Sequence, residues 1–252
     1  PVVNANVLEG QTLTLGLSDG TSNPTASSGV DYTNALQYWN ATTSTWTNYT
    51  GAFAVPGTGT AAVSLYVRVA ISNDTTFENA EDFKLTATYT SGASRSAEGV
   101  ATIVDDGTGA VYPNNTTGNP DPSAVLNDDR AVQVNNIDVN EGSPYAVFKV
   151  NTPAGAAGTY VKLSLQNDND LATADAALGV DTSNAGSGVP LQYYNGTSWV
   201  NYNPTTGVVV PANGQLLVRF AVTPDTVYEG PEALQLQVTN TAGSAYYGTG
   251  TI

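Results

Sequence analysis

The sequence predicts an all-β chain of two tandem antiparallel β-sandwiches, immunoglobulin-like in build and joined by a linker rich in Gly, Pro and Asp. Three observations predict it. One unit occurs twice, apolar residues alternate with period two inside each copy, and turn residues separate the alternating runs.

The repeat is read first. "VRVAISNDTTFENAEDFKL" (Val67 to Leu85) lies over "VRFAVTPDTVYEGPEALQL" (Val218 to Leu236) without a gap, at an offset of 151 (218 − 67). "LQYWN" at Leu36 answers "LQYYN" at Leu191, "TWTNY" at Thr45 answers "SWVNY" at Ser198, and "AVPGTG" at Ala54 answers "VVPANG" at Val209. Glu9-Gly10 is matched to Glu141-Gly142 at the smaller offset of 132, which implies insertions between the anchors. Copy one is expected over residues 1–106 and copy two over 131–252. The stretch 107–130 has no periodicity and reads as a linker, or as a loop ordered by contacts at its ends. The final "GTGTI" matches "GVATI" before Asp105, so the chain is expected to stop where the second copy's Asp pair would begin. The missing initiator Met gives the companion expectation of a fragment or processed product.

Within each copy, "AAVSLYVRVAI" from Ala61 and "QLLVRFAV" from Gln215 are β-type runs. "DFKLTATYT" and "ALQLQVTNT" alternate in the same way. Turn signals fall at Asp19-Gly20, Pro56-Gly57, Asn195-Gly196 and Asn213-Gly214. No stretch has a helical period.

Composition limits the partners. Charged residues are 12% of the chain, against about 25% in typical soluble proteins. The net charge is nevertheless −15, from 22 acids and 7 bases. Nucleic acid and anionic membrane need clustered Lys and Arg, so both are poor partners, whereas divalent cations suit. The chain has no Cys and no His, which removes disulfides, thiolate chemistry, His-held zinc and His-based triads. No signal peptide and no apolar run of about 20 residues appears, so membrane insertion is not expected. The Thr-, Asn-, Ser- and Gly-rich, Lys-poor mix is common in bacterial surface proteins, and an extracellular setting is expected.

The acids are not scattered. Asp74, Glu78, Glu81 and Asp82 crowd into one stretch, and Asp225, Glu229 and Glu232 repeat the spacing. Asp74 and Asp225 each follow one β-run and precede another, which puts them in a loop at one end of the sandwich. Asp31 and Asp181 follow Gly- and Ser-rich loops, Glu9 and Glu141 lie by the first strand of each copy, and Asp105-Asp106 close the last strand of copy one. Gathered carboxylates repel one another unless a cation sits among them. Ca²⁺ accepts six to eight oxygens in flexible geometry, and Mg²⁺, which demands a tighter octahedron, is the second choice. Solvated surface charge is the plainer alternative.

Glu9-Gly10, Asp31-Tyr32, the D-x3-E-x2-E-x-F run from Asp74 to Phe83 and "ATIVDDG" ending at Asp105-Asp106-Gly107 together resemble the Calx-β domain. The resemblance covers both copies. It implies a seven-stranded sandwich that binds Ca²⁺ at one end. The ligands it implies are Glu9, Asp31, Asp74, Glu78, Asp105 and Asp106 in copy one, and Glu141, Asp181, Asp225 and Glu229 in copy two. Glu81 and Glu232 match the family's second Glu, to which a structural role is given. Copy two departs from the pattern with Thr182 in place of Tyr and Leu234 in place of Phe. Asp168, Asp170 and Asp175, with Asp128-Asp129, form an alternative acidic group.

Tandem Calx-β-like repeats resemble very large bacterial surface proteins, including adhesins. The function expected is a structural, calcium-stiffened module whose partners are neighbouring repeats. A subunit of a filament, sheath or surface layer, pairing by sheet edges with copies of itself, is the alternative. A carbohydrate- or peptide-binding adhesin domain is third. It rests on the aromatic hairpins at Tyr38 and Tyr193, which could stack on a surface glycan but more simply stabilise a sheet. The N-x-S/T triplets at Asn40, Asn48, Asn73, Asn114, Asn115 and Asn195 are read as chance. No enzyme is expected, since the same acids recur in both copies beside turns and no phosphate-binding fingerprint is present.

Overall fold

A computed structural model describes residues 2–21, 25–57, 62–90, 95–113, 119–153, 160–168, 174–178, 181–182 and 191–252. Asp170, Asn114 and Asn115 lie outside them. The chain is all-β and divides into two compact units. Residues 1–74, 78–105 and 109–124 form the first, and 75–77, 106–108 and 125–252 form the second. Among the described residues no helix is long and apolar enough to cross a membrane.

The first unit contains β1 (Val2–Leu8), β2 (Thr12–Asp19), β3 (Gln37–Asn40), β4 (Thr45–Asn48), β5 (Phe53–Ala54), β6 (Ala62–Arg68), β7 (Glu81–Tyr89) and β8 (Arg95–Ile103). They form two four-stranded sheets, ordered β1-β6-β3-β4 and β5-β2-β7-β8, with every strand pair antiparallel. The period of two seen in the sequence is a burial pattern. Leu65 and Val67 of β6 and Phe83 and Leu85 of β7 are buried, and so are Leu13 and Leu15 of β2. Each such aliphatic or aromatic side chain stabilises the fold by roughly 1.5–3 kcal/mol.

The second unit contains β9 (Gln133–Val134), β10 (Ile137–Asp138), β11 (Tyr145–Asn151), β12 (Tyr160–Asn167), β13 (Ala174–Asp175), β14 (Gln192–Tyr194), β15 (Trp199–Asn201), β16 (Val208–Val209), β17 (Gln215–Ala221), β18 (Glu232–Thr239) and β19 (Ala245–Thr251). One sheet runs β15-β14-β17-β11-β9. The other runs β10-β19-β18-β12-β16, with β13 also paired to β18. Its core holds Phe148, Val150, Val218, Phe220, Leu234 and Leu236.

Strand order and register make β1 to β8 the counterparts of β11, β12, β14, β15, β16, β17, β18 and β19. The second unit adds β9, antiparallel to β11, and β10, parallel to β19. Register also fixes the offsets. Val67 pairs with Val3 and its counterpart Val218 pairs with Phe148, so the first strands are related by 145. Glu9 therefore corresponds to position 154, after β11. Glu141, which precedes β11, corresponds to a position before Pro1.

A small interaction recurs in both units. β5 pairs only with Thr12 and Leu13, so the next outward-facing amide of β2 has no strand to meet. That amide, Leu15 N–H, donates to the Tyr49 hydroxyl at 3.0 Å. In the second unit Leu163 N–H donates to the Tyr202 hydroxyl at 2.9 Å. The Tyr of "TNY" and "VNY" thus satisfies an edge donor that the short strand leaves over.

Candidate metal centre

Three segments meet at one end of the first unit. Asp31 sits in a tight turn whose backbone is tied down by Asp31 N–H to Ser27 O at 3.0 Å, and its Oδ2 accepts Ser27 N–H at 2.6 Å. The Asp31 carbonyl accepts Ser72 N–H at 2.9 Å, which anchors the turn to the chain leaving β6. Asp31 is thereby buried, with 8% of its surface exposed. Glu78 lies in the loop after Asp74, and its N–H donates to Asp105 Oδ2 at 2.8 Å. Glu81 is the first residue of β7.

Carboxylate oxygens of Asp31, Glu78 and Glu81 all lie within 4.8 Å of one another. Two oxygens on one calcium, each about 2.4 Å from it, are at most about 4.8 Å apart, whereas magnesium at about 2.1 Å spans only about 4.2 Å. The donor set is all hard oxygen, which suits an alkaline-earth cation. Crowding leaves a mark on Glu81, whose carboxyl is pushed up to about 7. Burial is the main cause, followed by the charges of Asp31 and Glu78, a hydrogen bond with Asp31, and the charge of Asp105.

The second unit repeats the arrangement. Asp181 Oδ2 accepts Ala177 N–H at 2.5 Å, and its carbonyl accepts Thr223 N–H at 2.9 Å. Asp181, Glu229 and Glu232 form the matching cluster within 4.8 Å. Glu232 is also pushed up to about 7, by burial first and then by the hydrogen bond and charge of Asp181 and the charge of Glu229. Glu229 is shifted upward by desolvation and by Asp225, Asp181 and Glu141. Glu141 completes the rim, its Oε1 accepting Asp225 N–H at 2.7 Å.

Of the residues expected as ligands, Asp31, Glu78 and Asp105 are brought together in the first unit, and Asp181, Asp225, Glu229 and Glu141 in the second. Asp74 lies in the loop that carries Glu78. Two others are placed elsewhere. Glu9 follows β1, and β2 runs from there to the acidic end, where Asp19 faces Phe83. Seven steps of about 3.4 Å put some 24 Å between the ends of β2. Glu9 instead packs on Gly57, where a Cβ would fall 2.3 Å from its Cδ. Its match to Glu141 was one of local letters, and the register overrides it.

Asp106 belongs to the second unit. Its Oδ1 accepts the Thr108 N–H at 3.0 Å and also the Thr108 hydroxyl, and its carbonyl accepts from Arg130 Nη2 at 2.7 Å. Glu81 and Glu232, assigned a structural role from the sequence, are at the centre of the clusters. Their signal was present as the last acid of D-x3-E-x2-E, at the start of a strand.

The alternative acidic group is otherwise engaged. Asp128 is buried and paired with Arg130 Nη2 at 2.8 Å. Asp129 Oδ2 accepts Asn127 Nδ2 at 2.8 Å, and Asp168 Oδ1 accepts Gln235 Nε2, also at 2.8 Å.

The aromatic hairpins carry a matching stack. Arg68 Cζ lies 4.3 Å over the Trp46 ring, with Trp39 edge-on to Trp46 at 5.6 Å. Arg219 Cζ lies 4.2 Å over Trp199. Each Arg is aimed by a Gln, through Nε to Gln37 Oε1 at 2.7 Å and to Gln192 Oε1 at 2.9 Å. Such cation–π stacks hold neighbouring strands together. The N-x-S/T triplets at Asn40 and Asn195 are turn chemistry, each Asn Oδ1 accepting the amide two residues on.

No family model matches the sequence, and no curated protein does. Solved structures that resemble the chain include a tetra-tandem repeat in the extending region of a large adhesion protein, 12% identical with a TM-score of 0.28. That match covers 99% of this chain and 49% of the other, so the chain spans about half its length. The C-terminal domain of the Streptococcus agalactiae AgI/II polypeptide BspA is 7% identical, with a TM-score of 0.36, over 100% of this chain and 91% of that one. CBD12 from CALX1.2 is 12% identical, with a TM-score of 0.22, over 100% and 93%. Likenesses this distant say nothing of what the chain binds.

Proposed function

We propose that the two acidic ends are calcium sites and that the chain is a structural, non-enzymatic repeat module of an extracellular surface protein of the adhesin kind. The observation that carries the reading is the recurrence of the cluster. Asp31, Glu78 and Glu81 have Asp181, Glu229 and Glu232 as counterparts, on the same turn, loop and strand start of two units. Solubility charge has no reason to converge within 4.8 Å twice, because like charges so placed destabilise the fold unless a cation joins them. Calcium bound there would tie the Asp31 turn, the Glu78 loop and the start of β7 into one rigid end. Millimolar calcium outside a cell would fill even weak sites.

The test is thermal unfolding of the chain in EDTA, in millimolar CaCl₂ and in millimolar MgCl₂. A melting temperature that rises with calcium and little with magnesium supports the reading, since a ligand of the folded state stabilises it. No shift with calcium would return the acids to surface charge.

Edge pairing in an assembly is a second reading, favoured by one observation. β8 ends its sheet in the first unit, and no strand among the described residues pairs with its outer edge.

A further inference from the structure

The two units differ at one place that bears on a partner. In the second unit the segment Val132–Glu141 runs along two sheet edges. β9 pairs antiparallel with β11, and β10 pairs parallel with β19. Val139 N–H donates to Thr251 O at 2.7 Å, and Thr249 N–H donates to Asn136 Oδ1 at 2.9 Å. Val132 is buried, and Val134, Ile137 and Val139 pack against the core. The approach is close enough that a Cβ on Gly248 would lie 2.5 Å from Val134 Cγ1.

In the first unit the counterparts of those two edges end their sheets. β1 and β8 are terminal in strand order, and no described strand lies beyond either. The pairing of Glu81 with Ile103 and of Glu232 with Ile252 relates β8 to β19 by 149. Gly248 and Gly250 are buried, but Gly99 and Ala101 are only half-buried. Thr249 and Thr251 are half-buried, but Val100 and Thr102 are exposed, Val100 to 59%. The first unit nevertheless keeps Gly99 where the second has Gly248. Glycine inside a strand weakens it and often marks a close approach by another backbone. An exposed strand of nine residues with an apolar Val on its outer face is a template for pairing.

We propose that the first unit accepts a separate extended peptide strand, antiparallel to β1 and then parallel to β8, with the chemistry of Val132–Glu141. Its recognition elements are an apolar alternation that fills the core margin and main-chain hydrogen bonds to the outward-facing groups of Val100 and Thr102. In the second unit this segment ends in Glu141, which holds the Asp225 amide. An incoming strand of the same pattern brings a Glu to Asp74, the counterpart of Asp225. The strand proposal does not depend on a metal. The added Glu deepens the calcium reading and rests on it.

The test uses the full chain and a fluorescein-labelled peptide of residues 131–142, followed by anisotropy in EDTA and in millimolar CaCl₂. Saturable binding is expected. Val100→Pro, which removes an outward N–H, should weaken it by about tenfold or more, the scale of one or two lost ladder hydrogen bonds. An Ile137→Asp peptide should weaken it similarly in unchanged protein, which guards against misfolding of the variant chain. No saturable binding, or binding indifferent to both changes, overturns the proposal. Concentration-dependent dimers of the chain alone that Val100→Pro abolishes would put a second copy in the groove and overturn the occupant named here. Peptide binding that persists without any gain from calcium sinks the calcium reading and leaves the strand acceptor standing.

Discussion

The ring of Tyr32 lies on the ring of Phe83, with centroids 4.6 Å apart and planes 22° apart. Both are buried, and the Tyr32 hydroxyl donates to Asp19 Oδ1 at 3.0 Å. At the matching places the second unit has Thr182 and Leu234, also buried. The two departures of copy two from the pattern of copy one are thus one departure. Tyr32→Ala should destabilise the first unit by about 3–5 kcal/mol through the cavity it leaves. Tyr32→Ala combined with Phe83→Leu should cost less than the two single changes added, because they share a contact. Urea unfolding of the four proteins measures this, and strict additivity would speak against the stack as a unit.

Glu81 and Glu232 titrate near 7 in the folded chain, against an ordinary value of 4.5. Between these values the folded state holds protons that the unfolded state has lost. Stability of the metal-free protein should therefore fall as pH rises from about 4.5 to 7 and level off above. Calcium, which needs the ionised carboxylates, should flatten or reverse that slope. Melting temperatures at pH 5, 6, 7 and 8, in EDTA and in calcium, test both statements. Glu81→Gln should reduce the EDTA slope, and an unchanged slope would count against crowding at this end as its cause.

Asp31 and Glu9 should separate cleanly in calcium binding. Asp31→Asn removes a buried charge from the cluster and should weaken the first unit's site by about tenfold or more. Glu9→Gln, at the far end of β2, should leave affinity and stoichiometry unchanged in calorimetric titration. An effect of Glu9→Gln equal to that of Asp31→Asn would contradict the placement of Glu9.

Tyr49→Phe and Tyr202→Phe should each destabilise their own unit by about 1–3 kcal/mol, since each strands an edge amide. Hydrogen exchange gives the sharper readout. The amide of Leu15 should lose protection in Tyr49→Phe, and that of Leu163 in Tyr202→Phe, with the rest of β2 and β12 less affected. Equal protection in parent and variant would mean that water serves the amide as well as the phenol does.

Local features of the sequence were legible because they rest on neighbouring residues. The alternation in "QLLVRFA" and "DFKLTATY", the positive-φ glycines of Asn195-Gly196 and Asn213-Gly214, and the gapless match from Val67 to Leu85 all read directly as strands, turns and a repeat. The convergence of Asp31 and Glu78 was legible from loop order. What failed needed pairing register. A Glu-Gly dipeptide carries little information, and only the pairing of β1 with β6 and of β11 with β17 places Glu9 and Glu141 at opposite ends of their strands. The pairing of Tyr32 with Phe83 spans 51 positions, and Arg68 over Trp46 spans 22, so neither has a local signature. The centrality of Glu81 was hidden because a strand's first residue can point either way until its neighbours are known.

The parallel pairing of β10 with β19 has a consequence for a chain under tension. β10 stands near the start of the second unit and β19 near its end. Opposite pulls on the two ends of that unit draw these neighbours past each other along their common axis. Val139 N–H to Thr251 O and Thr249 N–H to Asn136 Oδ1 then share the load at once. An antiparallel hairpin pulled from its open end would instead peel one bond at a time. Force drawn through the second unit meets a clamp in shear.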